Sequence, residues 1–355
     1  NPETKATARH DTGSFYTPRE IVEFMVDEAL LAHLSQALPA TTKQQQDDNA
    51  LRLRLLITYT DAEHLFDDAE TDLLINAIDN LKAIDPACGS GAFLMGLLLK
   101  MVYVLHKLDP HNDKWKAQQI KKIEEQIKKS REIPDVKVRT EVIEKLQASI
   151  TDINNTFEDF DYDYSRKLFL IEHCIYGSDI QPIAIQIAKL RFFISLLVDQ
   201  QKRTERANFG IRALPNLETN LVSADSLISI ALEEQSEIFF DNEIDAFKKE
   251  IKAIHAEYFT ARTLKHKKEI KKREQALRKG FATALKELNV PIQKAELITN
   301  WNPYASNAYA RFFYPGIMFG LDKLNMVITN PPYIRQEDIS NKPALQDIEN
   351  VSPAL

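Results

Sequence analysis

The chain has 355 residues, with 45 Lys and Arg against 52 Asp and Glu and a formal net charge of −7. Its hydrophobic content of 44% and charged content of 27% are those of a globular protein, which excludes wholesale disorder and fibre and leaves room for two ordinary domains or one large α/β domain with inserts. Two cysteines, Cys88 and Cys174, cannot build a disulfide framework or a four-thiolate zinc site, so they point to a reduced, cytoplasmic setting.

The polar start, Asn1-Pro2-Glu3, carries neither an initiator Met nor a signal peptide, and the chain reads as a piece of something longer. Residues 18 to 38 predict a helix, with Pro18 in the first turn and Ile21, Phe24, Met25 and Leu31 as its apolar positions. Thr41 to Asn49 is polar and reads as a loop or linker, after which helical patterns run from Leu51 to Ile78. Leu81 to Pro86 reads as a strand ended by proline, followed by a glycine-containing turn and an apolar helix to Leu105. That helix contains Lys100 and is shorter than the roughly 20 apolar residues of a membrane span. Strand, turn and helix together form the first βα unit of a doubly wound sheet.

From Lys114 to Ile150 a Lys-, Glu- and Gln-rich stretch predicts a helical hairpin on the surface. A second βα unit follows, with strand Cys174 to Asp179 and helix Pro182 to Val198, and a third strand spans Thr219 to Asp225. Residues 231 to 290 read as a second charged helical insert whose basic middle, Arg262 to Lys279, fits a solvated helix. The fourth strand, Leu324 to Thr329, delivers Asn330-Pro331-Pro332-Tyr333.

Open α/β sheets bind ligands beyond the carboxyl ends of their strands, and each end here holds a polar signature. In Asp85-Pro86-Ala87-Cys88-Gly89-Ser90-Gly91, the two glycines allow close backbone approach at the mouth of a helix. Leu94 breaks the dinucleotide pattern G-x-G-x-x-G, and no Gly-Lys-Ser or Gly-Lys-Thr of a phosphate loop follows. Gly177-Ser178-Asp179-Ile180 places a carboxylate where a ribose diol would be held, or where it would cap the helix starting at Pro182. Ala224-Asp225-Ser226 supplies a third acid. In Asn330-Pro331-Pro332-Tyr333 the prolines end the strand and stiffen two acceptors, the Asn amide and a neighbouring carbonyl, suited to an exocyclic amine. Tyr333 adds a flat face for a planar ring, whereas Asn302-Pro303-Tyr304 upstream lacks a strand and reads as a loop.

In order, these four signatures resemble the first four motifs of S-adenosylmethionine-dependent amino-methyltransferases. Phe15-Tyr16-Thr17-Pro18 resembles the tenth motif of DNA adenine methyltransferases of the gamma arrangement. Asn300-Trp301-Asn302-Pro303 and Gly316-Ile317-Met318-Phe319-Gly320 are similar to the methylase part of type IIG restriction-modification enzymes. The resemblance implies a Rossmann-like methyltransferase sheet with S-adenosylmethionine as cofactor. Tyr16 and Thr17 would close over its methionine portion, and Asp85 would receive its ammonium group. Pro86, Ala87, Gly89 and Gly91 would line the loop, Asp179 and Ile180 would hold the ribose, and Asp225 and Ser226 the adenine amine. Gly177 stands beside them, and Phe15 and Phe193 are candidate apolar walls or core residues. Asn330 and Pro331 would accept from the N6 amine of a target adenine, with Tyr333 stacked on its ring. The adenine must leave the duplex, so base flipping is implied. The reacting atoms must then meet at about 3 to 3.5 Å.

The implied partners are double-stranded DNA and a restriction nuclease domain or subunit, with no membrane and no metal. The implied organisation is an N-terminal helical segment, residues 1–80, and a catalytic core, residues 81–355. Helical inserts are expected at about 112–165 and 231–300, with the C-terminal strands and target-recognition domain missing. An acidic chain fits a DNA enzyme if the missing part carries most of the DNA contacts. Competing readings are an amino-methyltransferase acting on RNA or a protein glutamine, cytosine N4 as the target, and a nuclease. For the last, Pro134-Asp135 and Glu269-Ile270-Lys271 lie in charged helical sequence, which argues against a nuclease site. A DNA-binding module using Lys267, Lys268, Lys271 and Lys272 on phosphates is the remaining alternative.

Overall fold

Strands that are apolar at consecutive positions suit a parallel sheet covered on both faces. The computed structural model describes residues 17–331, apart from 133, 160–161, 201–203, 205–206, 212, 231–237, 289 and 306. Its strands are β1 (Ala83–Asp85), β2 (Ile175–Asp179), β3 (Leu221–Ser223) and β4 (Met326–Val327), all parallel and in the order β3-β2-β1-β4. Ala83 pairs with Ile175 on one side and Met326 on the other, and Gly177 pairs with Leu221. The chain leaves β1 toward β2 and β3 and returns to β4 on the opposite side, so the strand order reverses between β1 and β4.

The helices in chain order are α1 (Arg19–Ser35), α2 (Lys43–Ile57), α3 (Asp68–Asp79), α4 (Ala92–Leu108), α5 (Asp113–Ser130), α6 (Val136–Asp159), α7 (Tyr162–His173) and α8 (Pro182–Val198). After β3 come α9 (Ile238–Thr260), α10 (Leu264–Glu287), α11 (Ile292–Asn300) and α12 (Pro315–Phe319). No helix among the described residues is long and apolar enough to cross a membrane. Arg19–Thr329 forms one compact unit, while Asn1–Pro18 and Asn330–Leu355 group as another.

Successive strand residues point to opposite faces, and two cores follow from that alternation. Ala83, Ile175 and Leu221 join Leu30, Leu56, Ile78, Leu97 and Phe192 in one core, which α1 to α4, α7 and α8 cover. Ile84, Tyr176 and Val222 join Phe247, Ile251, Leu285, Ile298 and Phe319 from α9 to α12 in the other. The second insert is therefore one of the two layers that bury the sheet, not solvated filler. Within the basic run, Ile270, Glu274 and Arg278 are buried at four-residue steps, which places one face of α10 inward. The first insert does lie at the surface, since Trp115 is the buried residue of α5.

Three local readings are corrected by the packing. Thr41 to Asn49 is not a loop: Thr42 caps α2, its hydroxyl accepting from the Gln45 amide while Gln45 Oε1 accepts from the Thr42 amide, both at 3.2 Å. A second capping box, Asp67 with Glu70, starts α3 and splits the helical stretch expected from 51 to 78. In α1 the buried stripe is Val22, Val26, Leu30 and Leu34, and Phe24 is 65% exposed. Lys100 is buried inside α4, where its ammonium pairs with Asp27 at 2.8 Å and donates to the Ile57 carbonyl at 3.1 Å.

Gly177 is a packing position. It lies within β2, where a Cβ would stand 2.7 Å from Leu94 Cδ1 and 2.9 Å from Leu221 Cδ2. The missing side chain makes room for helix–sheet packing. Gly177→Ala should cost about 1–3 kcal/mol by overpacking, measured by urea denaturation.

Candidate functional site

The turn after β1 is shaped by two residues with left-handed backbone, Gly89 at φ +52 and Gly91 at φ +78. Gly91 is the N-cap of α4, and a Cβ there would sit 3.2 Å from the Ala188 Cβ of α8. At Gly89 a Cβ would meet nothing within 4 Å, so that backbone faces open space. The turn is tied to the next strand end: the Cys88 amide donates to the Ser178 carbonyl at 2.9 Å and the Gly89 amide to Asp179 Oδ2 at 2.8 Å. Asp179 Oδ1 accepts from the Gln181 amide at 2.8 Å, and Gln181, not Asp179, is the N-cap of α8. With one N–H on each oxygen, the carboxylate keeps a lone pair on each for a ligand's hydroxyl groups.

The third strand end joins the first through hydroxyls. Ser226 donates to the Pro86 carbonyl at 2.7 Å and lies 2.8 Å from the Ser178 hydroxyl. Asp225 Oδ1 accepts from the Leu227 amide at 3.1 Å, and the Asp225 amide donates to the Ala310 carbonyl at 2.9 Å. Asp85, Asp179 and Asp225 thus lie at the ends of three neighbouring strands. Among the described residues, no group of three or more His, Cys, Asp or Glu side chains is gathered to hold a metal ion.

Asp85 is the electrostatic anomaly of this site. It is 1% exposed and, among the described residues, pairs with no cationic side chain. Burial pushes its carboxyl up to about 7, against the Thr329 hydroxyl and the Ala87 amide, which favour the ionised form. The Ala87 amide donates to Asp85 Oδ1 at 3.1 Å, while Thr329 Oγ1 stops short of a closed hydrogen bond. An ionised carboxylate buried without a partner costs several kcal/mol, and a cation brought by a ligand would relieve that cost. Cys88 is an inert packing residue, its buried thiol raised well above the ordinary range.

In the smaller unit, the Asn330 amide nitrogen donates to the Thr17 hydroxyl at 3.2 Å. That bond turns the carbonyl oxygen of Asn330 into the free acceptor of the side chain. Pro331 is exposed. Phe15, Tyr16, Pro332 and Tyr333 lie outside the described residues. In the larger unit Ile180 is 54% exposed beside Asp179. Phe193 is half-buried against the first core, as a packing residue would be.

Sequence reasoning passed over several contributors. Arg191 of α8 donates to the Ser90 carbonyl at 3.0 Å and so braces the glycine turn. Tyr309, 40% exposed, lies close enough for Asp225, after burial, to raise its phenol. Ser178, 2.8 Å from the Ser226 hydroxyl, helps to join the first and third strand ends. None carries a local pattern, because each acts across tens of residues of sequence.

Two comparisons bear on this arrangement. Residues 173–352 match the family described as Eco57I restriction-modification methylase. A putative type II restriction enzyme and methyltransferase of Methanocaldococcus jannaschii is 24% identical over 224 residues, 61% of this chain. The aligned part is 14% of that relative's length.

Proposed function

Because the chain belongs to the Eco57I restriction-modification methylase family, we propose that it is the methyltransferase part of a DNA (adenine-N6)-methyltransferase using S-adenosylmethionine. The observation that carries the cofactor assignment is Asp85, a buried carboxyl at the mouth of a glycine turn with no cationic partner among the described residues. When bound, S-adenosylmethionine supplies an electrophilic methyl group. Asp85 takes its ammonium, and the backbone of Pro86, Ala87, Gly89 and Gly91 lies alongside. Asp179 accepts from the ribose hydroxyls beside Ile180, and Asp225 accepts from the adenine amine. Ser226, committed to Pro86 and Ser178, holds the loops in place.

The chemistry of the target follows from acceptor placement. The exocyclic nitrogen of adenine is a weak nucleophile because its lone pair is delocalised into the ring. Two N–H bonds accepted by Asn330 Oδ1 and the Pro331 carbonyl return electron density to that nitrogen. Thr17 keeps the Asn330 oxygen available for this role. Tyr16 and Tyr333 complete the reading as the residue over the cofactor and the stacking ring, with the adenine flipped out of duplex DNA. The relative's description as both restriction enzyme and methyltransferase supports a nuclease domain or subunit as partner.

Titration calorimetry tests the cofactor assignment. Asp179→Ala should weaken S-adenosylmethionine binding by roughly 10-fold or more, the loss of hydrogen bonds to a charged group. Undiminished binding in that variant would overturn the assignment.

A further inference from the structure

Between α10 and residues 299–304 lies a cleft of about 390 Å³ that the residues above do not use. One wall is a buried ionic cluster. Arg278 donates from Nε and Nη2 to Glu274 Oε1 at 2.9 and 2.7 Å, and Glu274 Oε2 accepts from the Tyr304 hydroxyl. His255 Nε2 lies 3.4 Å from the same carboxylate. Burial pushes the Glu274 carboxyl up, but His255 and Arg278 outweigh it and hold the group well below the ordinary range. Glu274 is thus ionised, and its charge is spent within the cluster.

Two donors in this wall are left over. Arg278 Nη1 and Trp301 Nε1 are buried without a hydrogen-bond partner, on side chains 2% and 5% exposed. Each unmet donor costs about 1–3 kcal/mol, more when charged. The Arg278 guanidinium carbon lies 4.4 Å from the centroid of the Trp301 ring, and both residues line the cleft. Lys271 and Lys272 also line the opening, with Lys271 held over the Tyr304 ring at 4.7 Å. Lys272 is exposed and makes no ion pair among the described residues. With Arg278 matched by Glu274, the lining keeps two surplus cations, Lys271 and Lys272, in a chain of net charge −7.

The unmet groups are donors, so the ligand must be rich in acceptors; the surplus cations require it to be anionic; and the volume exceeds that of a bare ion. We propose that this cleft binds a phosphate group with its esterified sugar, supplied by a nucleic-acid strand or by a free nucleotide. The nucleic-acid source rests on the methyltransferase reading, whereas the phosphate chemistry does not. Lys271 and Lys272 supply charge at the mouth, and the unmet donors of Arg278 and Trp301 lie in the wall behind them.

The full chain labelled with fluorotryptophan gives two fluorine resonances, one from Trp115 and one from Trp301. Titration with duplex DNA, with AMP and with inorganic phosphate should move the Trp301 resonance saturably and leave that of Trp115 in place. Movement by DNA but not AMP identifies a strand phosphate, and the reverse identifies a free nucleotide. For DNA, Lys272→Gln should lower the slope of log affinity against log salt by about 1. A Trp301 resonance unmoved by all three probes, or a shift indifferent to Lys272→Gln, overturns the proposal. S-adenosylmethionine binding, measured by calorimetry on the same samples, reports separately on the methyltransferase reading.

Discussion

Asp85→Asn should stabilise the ligand-free protein at pH 8 by roughly 2–4 kcal/mol while weakening S-adenosylmethionine binding by about 10-fold or more. The sign follows from proton counting. In the folded chain the carboxyl titrates at about 7, against a usual 3.8. Between these values the folded state holds a proton that the unfolded chain has released. Folded protein therefore binds more protons in that window, and stability falls as pH rises from about 4 to 7, by up to about 4 kcal/mol. Above that range the loss is complete and constant. Asparagine cannot ionise, so urea denaturation of the variant should show a flat profile where the parent declines. Destabilisation at pH 8 would mean that Asp85 has a partner in the ligand-free protein. Binding supplies the second arm: an ammonium needs the carboxylate, so wild-type affinity should weaken as pH falls below about 7, approaching 10-fold per unit. Affinity independent of pH between 5 and 7 would remove Asp85 from the cofactor site.

Asn330→Ala should leave cofactor affinity unchanged and lower methyl transfer by about 100- to 1000-fold, the usual loss when one stabiliser of the transition state is removed. The measurement is radiolabelled methyl transfer to duplex DNA. A matched loss of cofactor affinity would move Asn330 to a binding role. Thr17→Val supplies the companion test. It removes the hydroxyl that orients the Asn330 amide, so kcat should fall by a smaller factor than in Asn330→Ala, with KM for S-adenosylmethionine little changed. Movement in KM alone would place Thr17 against the cofactor, the role first implied by the FYTP resemblance.

The strand ends were readable because their chemistry is local. An apolar run, a proline or glycine and an acid lie within a few residues of one another at Asp85, Asp179 and Asp225. Capping was equally local and was passed over: Thr42 with Gln45 carried the signal of α2 inside a stretch whose polarity suggested a loop. The face of α1 was ambiguous, because Ile21 and Phe24 are as apolar as Val22 and Val26 and only a packing partner chooses between them.

By itself the sequence determined the parallel α/β class, the order of the motifs and the acids at three strand ends, since each depends on residues close together in the chain. Only the tertiary structure decided what those residues experience. Asp85 became a carboxyl at about 7 because layers far apart in sequence exclude water from it. Gly177 became a packing residue because Leu94 and Leu221 converge on it. Glu274 and Arg278, two charges in a basic run, became a buried pair because α10 covers the sheet. Burial and long-range proximity set desolvation, and desolvation belongs to the fold, not to any stretch of sequence.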